Sequence, residues 1–106
     1  MYEDISPHEF LARKTEDDTW RLLDVREPWE LATASVPGTV NIPMREIPDR
    51  IGELDRSVPI AVLCHSGVRS ASVAIFLKGQ GFTRVSNIAG GIDAWSTEVD
   101  DSIPRY

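Results

Sequence analysis

The chain has 106 residues, enough for one domain around a single hydrophobic core. Apolar residues make up 42% of it and charged residues 26%, a balance that argues against disorder. The net charge is -6 with no basic run, so we expect neither nucleic acid nor a membrane as a partner. The first ten residues lack the features of a signal peptide, and a single cysteine excludes an internal disulfide framework. We therefore expect a protein of the reducing cytoplasm.

The first predicted element is a short helix after Ser6. Ser6 suits the N-cap, Pro7 suits the first helical position, and Glu9 lies three residues after the cap, as in a capping box. We expect this helix to end near Lys14.

Apolar strands and short helices alternate along the rest of the chain. Strands are predicted in WRLLDV, in VPGTVNIP after a turn, in PIAVLC and in RVSNI; helices are predicted in EPWELATA, IPDRIGEL, SASVAIFLKGQ and IDAW. This alternation favours right-handed crossovers, and so an α/β fold with a mainly parallel sheet and helices on both faces.

The chemistry of the chain centres on Cys64, which ends the predicted strand PIAVLC. A lone cysteine after an apolar strand is most often a buried small hydrophobe. Here, however, a polar turn follows at once, and ligands of parallel sheets bind beyond the carboxyl ends of the strands. A helix then begins, so its free N–H groups and positive end should face the thiol, and Arg69 adds a full positive charge. These features predict a nucleophilic thiolate.

The residues after Cys64 are predicted to bind an anion attached to its sulfur. Gly67 permits a close approach of the backbone, and successive N–H groups form a nest for negative charge. Hydroxyl groups can add donors or cap the helix at Ser66 and Ser70. The predicted substrate-binding residues are therefore His65, Ser66, Gly67, Val68 and Arg69. For His65, an exposed position with no catalytic duty is an equally good interpretation.

Five motifs in this order resemble the single-domain rhodaneses, which carry sulfane sulfur as a cysteine persulfide. CHSGVRS resembles their active-site loop, and LLDVREPWE, VPGTVNIP and GFTRVSNIAGGIDAW resemble three further segments. DSIPRY resembles the tail of rhodanese domains fused to sulfur-carrier-activating enzymes. The resemblance extends over nearly the whole chain. It implies one rhodanese-like domain over residues 1–106, with a sheet of about five strands.

The same resemblance implies a sulfurtransferase with Cys64 as its catalytic residue. A small anionic donor such as thiosulfate would load the cysteine, and a thiophilic acceptor or a sulfur-carrier protein would receive the sulfur. No metal and no organic cofactor is expected, because the sulfur is carried covalently. One position departs from the family, since Ser35 stands where a histidine is frequent.

Asp24 and Arg26 end the predicted strand WRLLDV, so they should lie on the same edge of the sheet as Cys64. The resemblance implies that this segment supports the loop through hydrogen bonds and an ion pair. Ser70 is predicted as a further supporting residue, through its hydroxyl group. A purely structural pair that involves Glu27 or Glu30 is an equally good interpretation.

Two alternatives to a thiosulfate sulfurtransferase stay open. One is a sulfur-relay or protein-interaction module whose donor is the persulfide of another protein. The other is a small phosphatase or arsenate reductase. Four residues separate Cys64 from Arg69, whereas cysteine-dependent phosphatases have five. The shorter loop favours a single sulfur atom over a tetrahedral phosphate, so the second alternative is the weaker one.

Overall fold

A five-stranded parallel sheet with helices on both faces forms the domain, as expected from the sequence. The computed structural model describes residues 2–106. The strands are β1 (Glu3–Ile5), β2 (Arg21–Asp24), β3 (Val40–Asn41), β4 (Ile60–Leu63) and β5 (Val85–Ile88), in the order β1-β5-β4-β2-β3. The helices are α1 (Pro7–Glu16), α2 (Pro28–Thr33), α3 (Ile47–Arg50), α4 (Val68–Gly79) and α5 (Gly91–Glu98).

The sheet separates two hydrophobic cores. The central strand β4 is buried on both sides, which explains its continuous apolar sequence. Ala61 and Leu63 face the core formed with α1 and α5, whereas Ile60 and Val62 face the core formed with α3 and α4. Helices α1 and α5 therefore bury apolar side chains against one face of the sheet, and α3 and α4 bury theirs against the other.

The predicted start of α1 is confirmed. The Ser6 hydroxyl accepts the N–H of Glu9 at 3.0 Å, and the Glu9 carboxylate accepts the N–H of Ser6 at 3.2 Å. This capping box satisfies two N–H groups that the helix itself leaves without partners. The helix continues to Glu16, two residues beyond the predicted end at Lys14.

Two elements differ from the sequence-based expectation. Strand β1, which pairs with β5, is not predicted from the sequence, because only Ile5 of its three residues is buried. The predicted helix in IPDRIGEL is a short α-helix, Ile47–Arg50, between single 3₁₀ turns at Met44–Glu46 and Ile51–Glu53.

All strands are parallel, so their carboxyl ends meet at one edge of the sheet. The segments that leave β2, β4 and β5 therefore lie together, and Cys64 follows β4 directly. Within residues 2–106, no helix has the length and apolar character needed to cross a bilayer.

Candidate active site

Cys64 lies at the carboxyl edge of the sheet and is 1% exposed. Its Sγ accepts the N–H of Gly67 at 3.1 Å, so the loop curls back over the sulfur. Gly67 has a φ of +104°, in the left-handed region, and a Cβ there would come within 3.3 Å of the N atom of Gly90. Glycine therefore gives the loop both its turn and its close packing.

The start of α5 fixes the loop from behind. The N–H of Ile92 donates to the carbonyl of Cys64 at 2.8 Å, and the N–H of Asp93 donates to the carbonyl of His65 at 3.2 Å. A Cβ at Gly91 would lie 2.4 Å and 2.5 Å from these two carbonyl oxygens. The glycine pair at this turn therefore lets a helix N-terminus approach the backbone of the loop.

Helix α4 begins at Val68, immediately after Gly67 and two residues before the predicted segment SASVAIFLKGQ. The N–H groups of residues 68–70 belong to its first turn and have no acceptor within the helix. The positive end of the helix dipole therefore lies beside the loop that carries the cysteine. This arrangement favours negative charge at the site.

Ser70 lies next to the thiol and is completely buried. Its Oγ is 3.2 Å from the Sγ of Cys64 and donates to Asn87 Oδ1 at 2.5 Å. Asn87 Nδ2 donates in turn to Asp4 Oδ1 at 3.0 Å and to the Gly67 carbonyl at 3.2 Å. Asn87 is not among the predicted site residues. Its signal in the sequence is a polar side chain within a strand that is buried throughout.

The guanidinium of Arg69 is bound by Glu30 of α2. The two Nη atoms of Arg69 each donate to one carboxylate oxygen of Glu30 at 2.7 Å. Glu30 also accepts the N–H of Glu27 at 2.8 Å and the hydroxyl of Tyr106 at 2.9 Å. The Arg69 hydrogen bonds, helped by the other donors, lower the pKa of Glu30 to about 2. The same pairing raises the pKa of Arg69.

Asp24 and Arg26 form an ion pair that is closed to solvent. Arg26 Nη2 lies 2.7 Å from Asp24 Oδ2, and both side chains are 0% exposed. Arg26 also donates to the Ala34 carbonyl and to the Tyr106 hydroxyl, each at 2.9 Å. The pair thus contacts the loop through Tyr106 and Glu30 and not directly.

Tyr106 completes this network and is not singled out by the sequence. Its ring stacks on His65, with centroids 4.0 Å apart and planes at 7°. The ring of Trp29 packs edge-on against that of Tyr106, with the ring centroids 6.3 Å apart, and Trp29 is 64% exposed. His65 is therefore held in place by a residue far along the chain. By contrast, the predicted binding residues Ser66 and Val68 lie exposed on the rim.

A cavity of about 430 Å³ opens beside Arg69. Its lining residues are Val25, Glu27, Met44, Arg45, Pro48 and Arg69. Arg45 pairs with Glu27 at 3.0 Å, and Arg69 pairs with Glu30. Both arginines of the cavity are therefore neutralised by glutamates at the start of α2. A ligand in the cavity would meet cationic groups that already have carboxylate partners.

Comparisons with known proteins agree on one family. The model of the rhodanese-like domain matches residues 6–98. A sulfurtransferase of Allochromatium vinosum is 33% identical over 96 residues, which cover 91% of this chain and 90% of that protein. The thiosulfate sulfurtransferase GlpE of Pseudomonas syringae is 38% identical over 76 residues, 72% of each chain.

Longer proteins also contain a similar segment. The putative sulfur carrier protein YrkF of Bacillus subtilis is 37% identical over 97 residues, which cover 92% of this chain and 52% of that protein. The chain spans only 31% of the chloroplastic rhodanese-like/PpiC domain-containing protein 12 of Arabidopsis thaliana, to which it is 46% identical.

A solved structure shows the same fold. The rhodanese-related protein of Thermoplasma volcanium has a TM-score of 0.82 and 34% identity, over 92% of this chain and 94% of that one. The family match, the identities and the fold all agree with the resemblance of the five motifs. The chain belongs to the family of rhodanese-like domains.

Proposed function

We propose that this domain transfers sulfane sulfur through a persulfide on Cys64. The observation that carries the proposal is the placement of the single cysteine of the chain. Its Sγ accepts the Gly67 N–H and lies at the start of α4, where N–H groups without helical partners favour an anion. This small group of N–H donors fits the outer sulfur of a persulfide better than it fits a larger anion.

The reaction has two steps. In the first, the Cys64 thiolate attacks the outer sulfur of a donor such as thiosulfate. The Sγ–S bond forms, the S–S bond of thiosulfate breaks, and sulfite leaves with its electron pair. In the second, a thiophilic acceptor attacks the outer sulfur, and the electron pair of the Sγ–S bond returns to Cys64 as a thiolate. No metal or organic cofactor takes part, because the sulfur travels on the cysteine.

The loop supports the proposal through its size. Four residues separate Cys64 from Arg69, and the loop closes within three residues through the bond between Gly67 and the sulfur. Hydrogen-bond donors stabilise a charge only where they converge on it. A ring this short converges on one added sulfur, so we place phosphatase and arsenate reductase activity below sulfur transfer.

A second candidate for the sulfur donor is the persulfide of another protein. The observation that favours it is the Glu30 carboxylate, which already binds both Nη atoms of Arg69. A divalent oxyanion such as thiosulfate would compete with Glu30 for this guanidinium, whereas a persulfide sulfur would not need it. A sulfur-relay role therefore stays a specific alternative for the same cysteine.

The test is thiocyanate formation from cyanide and either of two donors, thiosulfate and glutathione persulfide. We expect the native protein to turn over with at least one donor and Cys64→Ser with neither. Ser72→Ala, an exposed position on the same helix, serves as the matched control. Turnover by Cys64→Ser above the uncatalysed rate would refute the assignment. Use of glutathione persulfide alone would select the relay.

A further inference from the structure

A chain of hydrogen bonds, buried except at its last link, runs from the sulfur of Cys64 across β5 to β1. It passes from Cys64 through Ser70 and Asn87 to the exposed carboxylate of Asp4. Ser70 is 0% exposed and Asn87 is 4% exposed, so water does not supply alternative partners for their side chains. Each proton in this chain therefore has a limited choice of acceptors.

The orientation of Asn87 follows from its neighbours. The Asp4 carboxylate and the Gly67 carbonyl accept hydrogen bonds and cannot donate them. The amide nitrogen of Asn87 must face these two groups, which leaves its oxygen towards Ser70. The Ser70 hydroxyl then donates its single proton in the hydrogen bond to Asn87 Oδ1. Only an oxygen lone pair of Ser70 faces Cys64, so the thiol donates its own proton in that contact.

A thiolate changes this arrangement, because it has no proton to donate. The Ser70 hydroxyl can then donate to the charged sulfur or to Asn87, and it cannot do both. We propose that Asn87 is a positioning residue that acts on Cys64 through Ser70. Asn87 accepts the hydrogen bond of the Ser70 hydroxyl while the sulfur is neutral. The hydroxyl rotates and donates to Sγ when the sulfur becomes negatively charged. This inference rests on the proposed nucleophilic role of Cys64.

Charge appears on Sγ at two points of the proposed reaction, before the donor is attacked and after the outer sulfur has left. At both points Ser70 and the Gly67 N–H would converge on the sulfur. In the persulfide the charge lies on the outer sulfur, so the Ser70 proton returns to Asn87. Of the charged neighbours, Arg69 faces Cys64 from the first turn of α4, and Asp4 faces Asn87 from β1.

Asn87→Leu tests the proposal because it removes the competing acceptor with little change of volume. The Gly67 carbonyl still accepts the N–H of Ala71 at 3.3 Å, and Asp4 is exposed to water. No other buried partner of Asn87 is then left without a hydrogen bond. We expect the rate of alkylation of Cys64 by iodoacetamide at neutral pH to rise by about 2- to 10-fold, the effect of one neutral hydrogen bond.

Ser70→Ala should act in the opposite direction, since it removes the donor itself. We expect alkylation to slow by about 10- to 100-fold, the effect of a hydrogen bond to a charged group. In the Ser70→Ala background, Asn87→Leu should change nothing further, because its path to the sulfur is gone. This loss of effect separates positioning from a general structural role.

Two additions keep the test decisive. Cys64 is buried, so the thiolate is also measured by its ultraviolet absorbance with Cys64→Ser as the blank, which does not depend on reagent access. Asn87→Ala, with the same expected sign, replaces Asn87→Leu if the larger side chain prevents folding. Slower alkylation in the folded Asn87 variant, or an equal change in both Ser70 backgrounds, would overturn the proposal. Neither readout needs a sulfur donor, so failed sulfur transfer would leave the result interpretable.

Discussion

Two arginines of the site carry the same charge in different surroundings. Arg26 is 0% exposed, pairs with a buried aspartate and donates to a backbone carbonyl and a tyrosine hydroxyl. Arg69 is 36% exposed at its side chain, and among residues 2–106 its one hydrogen-bonding partner is Glu30. A buried arginine with every donor directed at protein can only hold the structure together. An arginine at the rim with one partner can exchange that partner for a ligand.

Glu30 and Tyr106 connect the two arginines. The Tyr106 hydroxyl accepts from Arg26 at 2.9 Å and donates to Glu30 at 2.9 Å, and Glu30 binds Arg69. The interior pair thus fixes the residues that hold the rim arginine. If this distinction is right, substitutions along the network should move from effects on folding to effects on donor use.

The largest effect is expected from Arg26→Ala. This change leaves the Asp24 carboxylate buried without its counter-ion, which typically costs about 3–5 kcal/mol of the free energy of unfolding. Denaturant unfolding at neutral pH measures it. Arg21→Ala, at the exposed first residue of β2, is the control and should change the free energy by less than about 0.5 kcal/mol. A loss below about 1 kcal/mol for Arg26→Ala would show that the interior pair is dispensable.

The next effect depends on pH. The pKa of Glu30 is lowered from 4.5 to about 2 in the folded protein, so its ionised form stabilises the fold. That contribution is complete above the unfolded pKa and is lost as the pH falls from about 4.5 towards 2. Glu30→Gln should therefore be less stable than the native protein by roughly 2–3 kcal/mol at neutral pH, and the difference should shrink on acidification.

Denaturant unfolding of both proteins at neutral pH and at several acidic values checks this expectation. The difference in the free energy of unfolding between the two proteins is taken at each pH. The acid sensitivity of the other carboxylates is common to both proteins and cancels in this difference. A constant difference across the whole range would mean that the charge of Glu30 does not stabilise the fold.

Arg69 tests whether the rim arginine exchanges partners. Arg69→Ala should lower kcat/KM for thiosulfate by about 10- to 100-fold, the effect of lost hydrogen bonds to a charged ligand. Glu30→Gln should instead lower KM, because the amide releases the guanidinium to the donor. Both are measured as thiocyanate formation, on protein shown to be folded. An unchanged kcat/KM in Arg69→Ala would assign this residue to the structure of the loop.

The smallest effect is expected from Tyr106→Phe. The substitution keeps the ring that stacks on His65 and removes the hydroxyl that bridges Arg26 and Glu30. We expect a loss of about 1 kcal/mol in the free energy of unfolding. Tyr2→Phe is the matched control, since within residues 2–106 no hydrogen bond of the Tyr2 hydroxyl is found, and it should be neutral. Equal losses in both variants would deny the bridge.

Local signals in the sequence account for much of the fold. Ser6 and Glu9 form the predicted capping box, and Cys64 follows the predicted strand and precedes the predicted helix. Each of these features depends on residues within a few positions of one another. Strand β1 escapes prediction because a three-residue edge strand with one buried side chain has no alternating pattern.

The partners of the site residues could not be predicted in the same way. Glu30 binds Arg69 across 39 positions, and Tyr106 reaches Glu30 across 76. Such pairs depend on how the carboxyl ends of the strands come together, which no local pattern contains. The charge of Arg69 is evident from the sequence, but its neutralisation by Glu30 is a property of the fold. Asn87 likewise becomes meaningful only when β5 brings it to Ser70.

The central claim is that Cys64 carries the transferred sulfur. Intact mass spectrometry of the reduced protein after exposure to thiosulfate, and separately to glutathione persulfide, tests it most directly. We predict that the native protein gains the mass of one sulfur atom with at least one donor, loses it again on addition of cyanide, and that Cys64→Ser gains nothing. No added sulfur with either donor, or the same gain in Cys64→Ser, would contradict the account.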